Sequence, residues 1–255
     1  MKFENNTRSA DATPYAASLI EGLRDFGYSL ETSLADIIDN SITAGATEVE
    51  ILADTANVNP WIAVVDNGTG MTEPELIEAM RPGSRNPREA RGSYDLGRFG
   101  LGLKSASFAQ CRALYVVTRK DGKTSCAAWD LDEVSKSNKW CLALFDAPKF
   151  TAMDSLTDTG TAVIWEKLDR LDGGYTTDTA SRVKTINSGL ALAERHLRLV
   201  FHRFLEGTKP RLKLSLNGRR LAPIDPFVSD NPARQADPPE ELKLPHGSIH
   251  IRCVT

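Results

Sequence analysis

The sequence predicts an α/β protein, because segments with helical periodicity alternate with short apolar runs that are typical of strands. The two strongest helix predictions are residues 30–46 and 180–205, where apolar side chains recur at helical spacing. Residues 47–52 and 61–65 are typical of strands, and the second run is apolar enough for a central position in a sheet. With 255 residues, the chain can bury a sizeable core as one large domain and still begin another.

The remaining elements are predicted from local signals. Thr72, with Glu75 three residues later, is a capping box that predicts a short helix. Residues 81–94 are polar and rich in Gly, Pro and Arg, which is typical of a mobile loop. A further helix is predicted over 104–111, and the Asn-Gly pair at 217–218 predicts a hairpin turn. Strand-like runs cover 113–119, 124–131, 139–146, 160–168 and 248–254.

Composition argues against several function classes. A net charge of −3 gives no overall basic excess and does not support a large nucleic-acid-binding surface. The four cysteines show no C-x-x-C spacing, which argues against a structural zinc site and indicates reduced thiols. The N-terminus is polar, and no apolar run approaches the roughly 18 residues that a membrane span needs. We therefore expect a cytoplasmic protein without membrane contact.

The helix predicted over 30–46 carries a polar stripe with an unusual composition. An ordinary solvated face is the simplest interpretation of such a stripe, but that kind of face mixes acidic and basic side chains. This one holds two acids beside an amide and no basic residue. Asp36 and Asn40 are spaced i,i+4, so their oxygens can point to one place, which suits Mg2+ and a carboxylate that orients a water. The stripe consists of Thr32, Ser33, Asp36, Asp39, Asn40 and Thr43.

Two further segments have both a structural and a functional interpretation. The residues from Asp66 to Met71 follow a strand and can be a simple Asn-Gly turn. Alternatively, the Asp66 carboxylate accepts a hydrogen bond from the amine of adenine, and the nearby glycines let a ring approach the backbone. The segment GRFGLGLKS, residues 97–105, is rich in glycine but matches neither the P-loop nor the dinucleotide fingerprint, because its spacing is different.

The order of these segments resembles the GHKL superfamily of gyrase, heat-shock chaperone, histidine kinase and MutL. Over residues 30–168, D-x-x-x-N on a helix precedes D-x-G-x-G after a strand, a polar lid, G-x-x-G-x-G and a Gly-Thr pair. LADIIDNSITAGA and GRFGLGLKSAS look most like the MutL and Microrchidia (MORC) prokaryotic branch. The resemblance implies a Bergerat-type ATP-binding fold, a two-layer α/β sandwich with a mixed β-sheet covered by helices on one face. It assigns 1–207 to the ATP-binding domain and 208–255 to the beginning of a transducer-like domain.

The resemblance also implies roles for individual residues. Asn40 would hold Mg2+, and Asp36 would orient and deprotonate the water that attacks ATP. The residues implied to line the adenine pocket are Asp66, Gly68, Gly70, Met71 and Thr161. The residues implied to surround the phosphates are Gly97, Gly100, Leu101, Gly102, Leu103 and Lys104.

Asp36 is a departure from the family pattern, because hydrolysing members usually have glutamate there. Aspartate is shorter by about 1.5 Å, and a misplacement on the order of 1 Å can cost ~100-fold in rate. We therefore expect ATP binding and slow hydrolysis, coupled to lid closure and homodimerisation, in a molecular clamp.

DNA is a candidate client of this clamp, bound through the basic residues 195–220 or a downstream domain. The same basic residues are equally typical of an ordinary solvated helix and hairpin. Two alternatives stay open, a non-hydrolysing ATP-binding switch and a histidine kinase catalytic domain. Against the kinase, all four histidines follow the nucleotide site.

Overall fold

The computed structural model describes residues 10–83, 102–146, 150–171, 178–228, 231–233, 235, 238–244 and 247–251. The helices in these ranges are α1 (Ala16–Arg24), α2 (Leu30–Thr43), α3 (Glu73–Met80), α4 (Gly102–Phe108), α5 (Leu131–Ser137), α6 (Thr179–Val200) and α7 (His202–Leu205). The strands are β1 (Glu48–Asp54), β2 (Trp61–Asp66), β3 (Ala113–Lys120), β4 (Lys123–Asp130), β5 (Ala143–Phe145), β6 (Gly160–Glu166), β7 (Lys213–Leu216), β8 (Arg219–Arg220), β9 (Glu240–Leu244) and β10 (Gly247–Ile251).

Eight of these strands form one mixed sheet in the order β5-β4-β3-β6-β2-β1-β7-β8. Neighbouring strands run antiparallel except β1 and β7, which pair in parallel. β2 and β6 are therefore central strands, and their residues are almost all buried, as the apolar run of β2 predicts. β9 and β10 form a separate antiparallel pair.

The main core lies between the helices and one face of the sheet. α2 packs against both α4 and α6, and it buries Leu34 and Ile38 completely. Trp165 of β6 is the largest side chain that is fully buried there. The other face carries a smaller apolar cluster, which is covered by a 3-10 helix at Thr151–Ser155. This arrangement confirms the predicted α/β sandwich with a mixed sheet and helices on one face.

Most of the predicted elements are present, and local chemistry explains their ends. The capping box of α3 forms as predicted, since Glu75 accepts hydrogen bonds from both the backbone and the hydroxyl of Thr72. The hairpin between β7 and β8 turns at Asn217 and Gly218, which have φ of 47° and 74°. Positive φ at both positions is the signature of the tight turn that an Asn-Gly pair favours.

Other predictions are wrong in extent. The predicted strand 124–131 stops at Asp130, because that side chain accepts the backbone N–H of Asp132 and so begins α5, which was not predicted. The predicted strand 139–146 shrinks to β5, and the predicted helix 180–205 is interrupted at Phe201. α1 was also not predicted. Residues 84–94 of the predicted loop lie outside the described residues.

A buried arginine fixes α1 against the rest of the domain. The Arg24 side chain is only 3% exposed and donates to the backbone oxygen of Phe108 at 2.8 Å. It also donates to Asp169 at 2.6 Å, across 145 residues of sequence. Burying a charge is unfavourable unless it is paired and hydrogen-bonded, so these contacts specify where α1 can pack.

We predict that Glu75 contributes stability that depends on pH. The Lys120 ammonium and the Thr72 capping bonds lower the pKa of Glu75 from 4.5 to about 2. Since the folded-state pKa is the lower one, this stability is fully present above pH 4.5 and is lost as the pH falls towards 2. Glu75→Gln should lower the melting temperature at pH 7, and the difference from wild type should vanish on acidification. Glu73→Gln is the control, and a difference that persists at low pH would contradict the prediction.

Candidate functional site

Several of the predicted site residues come together where α2, the end of β2 and the start of β6 meet. Asp66 and Thr161 are paired across β2 and β6, and the Ser41 hydroxyl of α2 donates to Asp66 at 2.8 Å. α4 approaches from the other side, since a Cβ on Gly102 would lie 3.7 Å from an Asp36 oxygen. Gly97, Gly100 and Leu101 lie outside the described residues, so their predicted role stays a prediction.

Asp66 is a buried carboxylate that three different elements hold in place. Its Oδ1 accepts the backbone N–H of Gly68 at 2.8 Å and that of Thr161 at 3.2 Å. Its Oδ2 accepts the Ser41 hydroxyl. Burial raises the pKa of Asp66 above its ordinary value, although the three hydrogen bonds lower it. The carboxylate therefore has a fixed orientation, which a residue that recognises a ligand by hydrogen bonding needs.

Ser41 and Thr118 complete this end of the site, and the sequence analysis missed both. The Thr118 hydroxyl is fully buried, accepts the backbone N–H of Met71 at 2.8 Å and lies 3.0 Å from the backbone oxygen of Gly160. Its only sequence signal is a polar residue inside an apolar strand. Ser41 lies on the buried face of α2, outside the polar stripe, and gives no signal by itself.

Glycine is required at positions 70 and 160, because the backbone of another segment passes too close for a side chain to fit. Gly70 has φ of +65°, and a Cβ there would lie 2.0 Å from the backbone oxygen of Arg119. Gly160 has φ of +138°, and its Cβ would lie 2.0 Å from the backbone oxygen of Asp66. The wall of the site is therefore formed by chain segments packed directly on each other, where no side chain fits.

The polar stripe of α2 is exposed only in part. Asn40 is exposed, Asp39 is partly buried, and Oδ2 of Asp36 accepts the Tyr28 hydroxyl at 2.7 Å. Burial and the neighbouring Asp36 carboxylate raise the pKa of Asp39 to about 6. The prediction that Ser33 belongs to this stripe is wrong, because its side chain is buried against Gln110.

This donor set fits Mg2+ only in part. Among the described residues no group of three His, Cys, Asp or Glu side chains could hold a metal ion. Mg2+ usually keeps several waters and combines one or two protein oxygens with the phosphates of a nucleotide. The exposed amide oxygen of Asn40 beside two carboxylates is compatible with that kind of coordination.

Lys104 is placed differently from an exposed phosphate ligand. Its side chain is 2% exposed, and its ammonium donates to the backbone oxygen of Ala79 at 2.7 Å. Trp129 donates to the next carbonyl, that of Met80, at 3.0 Å. Both bonds satisfy carbonyl groups at the C-terminal end of α3. In this structure Lys104 therefore joins α4 to α3, and its contact with phosphate stays a prediction.

Comparisons with known proteins identify the same region. Residues 28–161 match the family model described as histidine kinase-, DNA gyrase B-, and HSP90-like ATPase. The chain is 25% identical to ATPase morc-1 of Caenorhabditis elegans over an alignment of 232 positions, and the alignment covers 75% of this chain and 27% of that protein. It is 31% identical to ATPase MORC2B of Mus musculus over 97 residues, 37% of this chain and 9% of that protein. The chain thus spans about a quarter or less of either relative. Within the described ranges, no helix is long and apolar enough to cross a membrane.

We predict that Gly70→Ala destabilises the domain by more than its backbone conformation alone explains. A positive φ costs a non-glycine residue about 1–2 kcal/mol. At Gly70 the new methyl group would also collide with the backbone of β3. Gly122→Ala is the matched control, since Gly122 has φ of +72° and nothing within 4 Å of its Cβ position. Urea unfolding should show the larger loss for Gly70→Ala, and equal losses would contradict the close approach.

Proposed function

This chain belongs to the family of histidine kinase-, DNA gyrase B- and HSP90-like ATPases, as a MORC-like member, and from that premise we propose that it binds ATP with Mg2+ and hydrolyses it slowly. The observation that carries the proposal is the buried Asp66 carboxylate at the end of β2. Its position in the D-x-G-x-G segment, between α2 and β6, supports recognition of the adenine base.

The hydrogen bonds of Asp66 leave capacity for one more donor. A carboxylate oxygen has two acceptor positions. Oδ1 already has the Gly68 and Thr161 donors, whereas Oδ2 has only Ser41 among the described residues. The exocyclic amine of adenine is a donor of the required kind. Gly70 and Met71 follow directly and form the wall on which the base rests in this proposal.

The phosphate end of the site uses α2 and the segment before α4. Asn40 holds Mg2+ through its amide oxygen, and the ion offsets the charge of the phosphates when it is bound. Asp36, one turn earlier, orients the attacking water and accepts its proton at a carboxylate oxygen. In this proposal the phosphates bind at residues 97–104, as the family resemblance implies for Gly97, Gly100 and Gly102.

A non-hydrolysing switch is the second candidate function, and Asp36 is the residue that favours it. The aspartate side chain is one methylene shorter than the glutamate of hydrolysing relatives, so the water must lie closer to α2. If it does not, the site binds ATP and closes without turnover. A histidine kinase catalytic domain has no support from the described residues beyond family membership.

We further propose that ATP binding closes the lid and pairs two copies into a clamp, with DNA as its client. Four of the eight basic residues in the segment 195–220 form ion pairs in the structure, so they are less available to contact DNA phosphates. These pairs are Arg198 and Arg219 with Glu194, Arg203 with Glu206, and Lys213 with Glu48. Binding of duplex DNA whose affinity does not weaken with salt would contradict phosphate contacts.

The free thiols of Cys111, Cys126 and Cys141 suit a cytoplasmic location.

We predict that Asp66→Asn weakens ATP binding by about 10–100-fold, the loss expected for one hydrogen bond to a charged group. The asparagine oxygen can still accept from Gly68 and Thr161, and its amide can face Ser41, so the fold is retained. Titration calorimetry with Mg2+-ATP measures the loss.

Asn40→Ala should reduce the part of the ATP affinity that depends on Mg2+, which the same calorimetry measures with and without the ion. Asp154→Asn, an exposed position on the other face of the sheet, is the control. Wild-type protein that binds no ATP would overturn the proposal.

We predict that Asp36→Asn binds ATP normally but releases phosphate at least ~100-fold more slowly than wild type. Because the nucleotide then persists, this variant should accumulate as a dimer in ATP, which light scattering measures. Phosphate release at the wild-type rate would remove Asp36 from the chemistry. A variant that stays monomeric with bound ATP would argue against the clamp.

A further inference from the structure

A tyrosine outside the predicted motifs contacts the proposed catalytic carboxylate directly. Tyr28 lies in the turn between α1 and α2, and its hydroxyl donates to Oδ2 of Asp36 at 2.7 Å. On the premise of the proposed ATPase function, we propose that Tyr28 is a positioning residue. It holds the short Asp36 side chain in the orientation that hydrolysis requires.

Tyr28 is itself held at three points. Its ring packs against the main core. The Gln110 side chain, which is only 3% exposed, donates to the Tyr28 backbone oxygen at 3.1 Å and to the Ser33 hydroxyl at 2.9 Å. The Ser105 hydroxyl of α4 hydrogen-bonds to the Tyr28 hydroxyl. A phenol fixed by its backbone, ring and hydroxyl can orient a neighbouring side chain, whereas an exposed one cannot.

The contact assigns different tasks to the two oxygens of Asp36. Oδ2 accepts from Tyr28, while Oδ1 has no protein donor among the described residues. The carboxyl group of an aspartate rotates easily about its last torsion, so a carboxylate without such a bond samples several orientations. The bond from Tyr28 selects one of them and leaves Oδ1 to accept the proton of the attacking water. This matters more for aspartate than for glutamate, because the shorter side chain gives less latitude in reaching the water.

The contact also connects the carboxylate to α4. Ser105 lies within α4, and Gln110 lies two residues beyond the end of that helix. Both side chains hydrogen-bond to Tyr28. Through Tyr28, the orientation of the Asp36 carboxylate therefore depends on the position of α4.

The alternative is a purely structural tyrosine, which would support the turn before α2 and nothing else. The two roles differ in what Tyr28→Phe changes, because phenylalanine keeps the ring packing and removes only the hydroxyl. A structural role predicts lower stability with an unchanged turnover number. The positioning role predicts a turnover number that falls about 10–100-fold, while the ATP affinity changes less than about 2-fold.

The first experiment measures phosphate release and ATP affinity for wild type, Tyr28→Phe and Tyr115→Phe. Tyr115 is the matched control, because its ring is also partly buried and lies on β3, away from Asp36. We expect a lower turnover number for Tyr28→Phe alone. If wild type turns over and Tyr28→Phe has the wild-type rate, the positioning proposal is overturned and the ATPase proposal stands. If wild type releases no phosphate, hydrolysis and positioning both fail, but ATP binding is judged by the calorimetry.

A second experiment tests whether Tyr28 acts through Asp36. In the Asp36→Asn background, Tyr28→Phe should cause no further loss of turnover, whereas independent roles would give losses that multiply. A third readout needs no nucleotide. Burial, together with the Asp36 carboxylate, raises the pKa of Tyr28, so Asp36→Asn should lower the pKa at which one tyrosine ionises in the ultraviolet spectrum. An ionisation curve that Asp36→Asn leaves unchanged would overturn the contact itself.

Discussion

The buried carboxylate of Asp66 is the interaction on which the site and much of the fold depend. A buried charge is strongly unfavourable unless hydrogen bonds replace the water that it has lost. Here the donors come from Ser41 of α2, from the turn after β2 and from the backbone of Thr161 in β6, so the charge is satisfied only when all three are in place. The same carboxylate lies where the proposed adenine pocket opens. In the proposed function, stability of the central sheet and recognition of the base therefore rest on one group.

The glycines beside Asp66 show how little free space this region has. Gly70 crosses the end of β3, and Gly160 crosses the backbone of Asp66 itself, both with positive φ. Backbone atoms occupy the positions that side chains would need, so the surface offered to a ligand is made of peptide groups in fixed orientations. Such a surface is preorganised, and little conformational entropy remains to be lost when a ligand binds.

α4 is the element that connects the proposed phosphate end of the site with α3 and with the turn before α2. Lys104 reaches the C-terminal carbonyl groups of α3, and Ser105 reaches the hydroxyl of Tyr28. Gln110, just beyond the helix, holds the backbone of Tyr28. All three are polar side chains that are almost fully buried, so their hydrogen bonds are costly to break. These hydrogen bonds fix α4 to both α3 and the turn before α2.

The sequence by itself determined the features that short-range chemistry decides. The capping box of α3, the Asn217-Gly218 turn, the D-x-x-x-N spacing on α2 and the order of the motifs could be predicted, because each signal lies within a few residues. The tertiary structure alone decided that Ser41 and Thr118 support Asp66 and Met71, that Lys104 is buried, and that Tyr28 binds Asp36. Apolar periodicity indicates which face of an element is buried, but it does not say which polar groups will meet there. That depends on strand register and helix packing between residues far apart in the chain, as it does for Arg24 and Asp169.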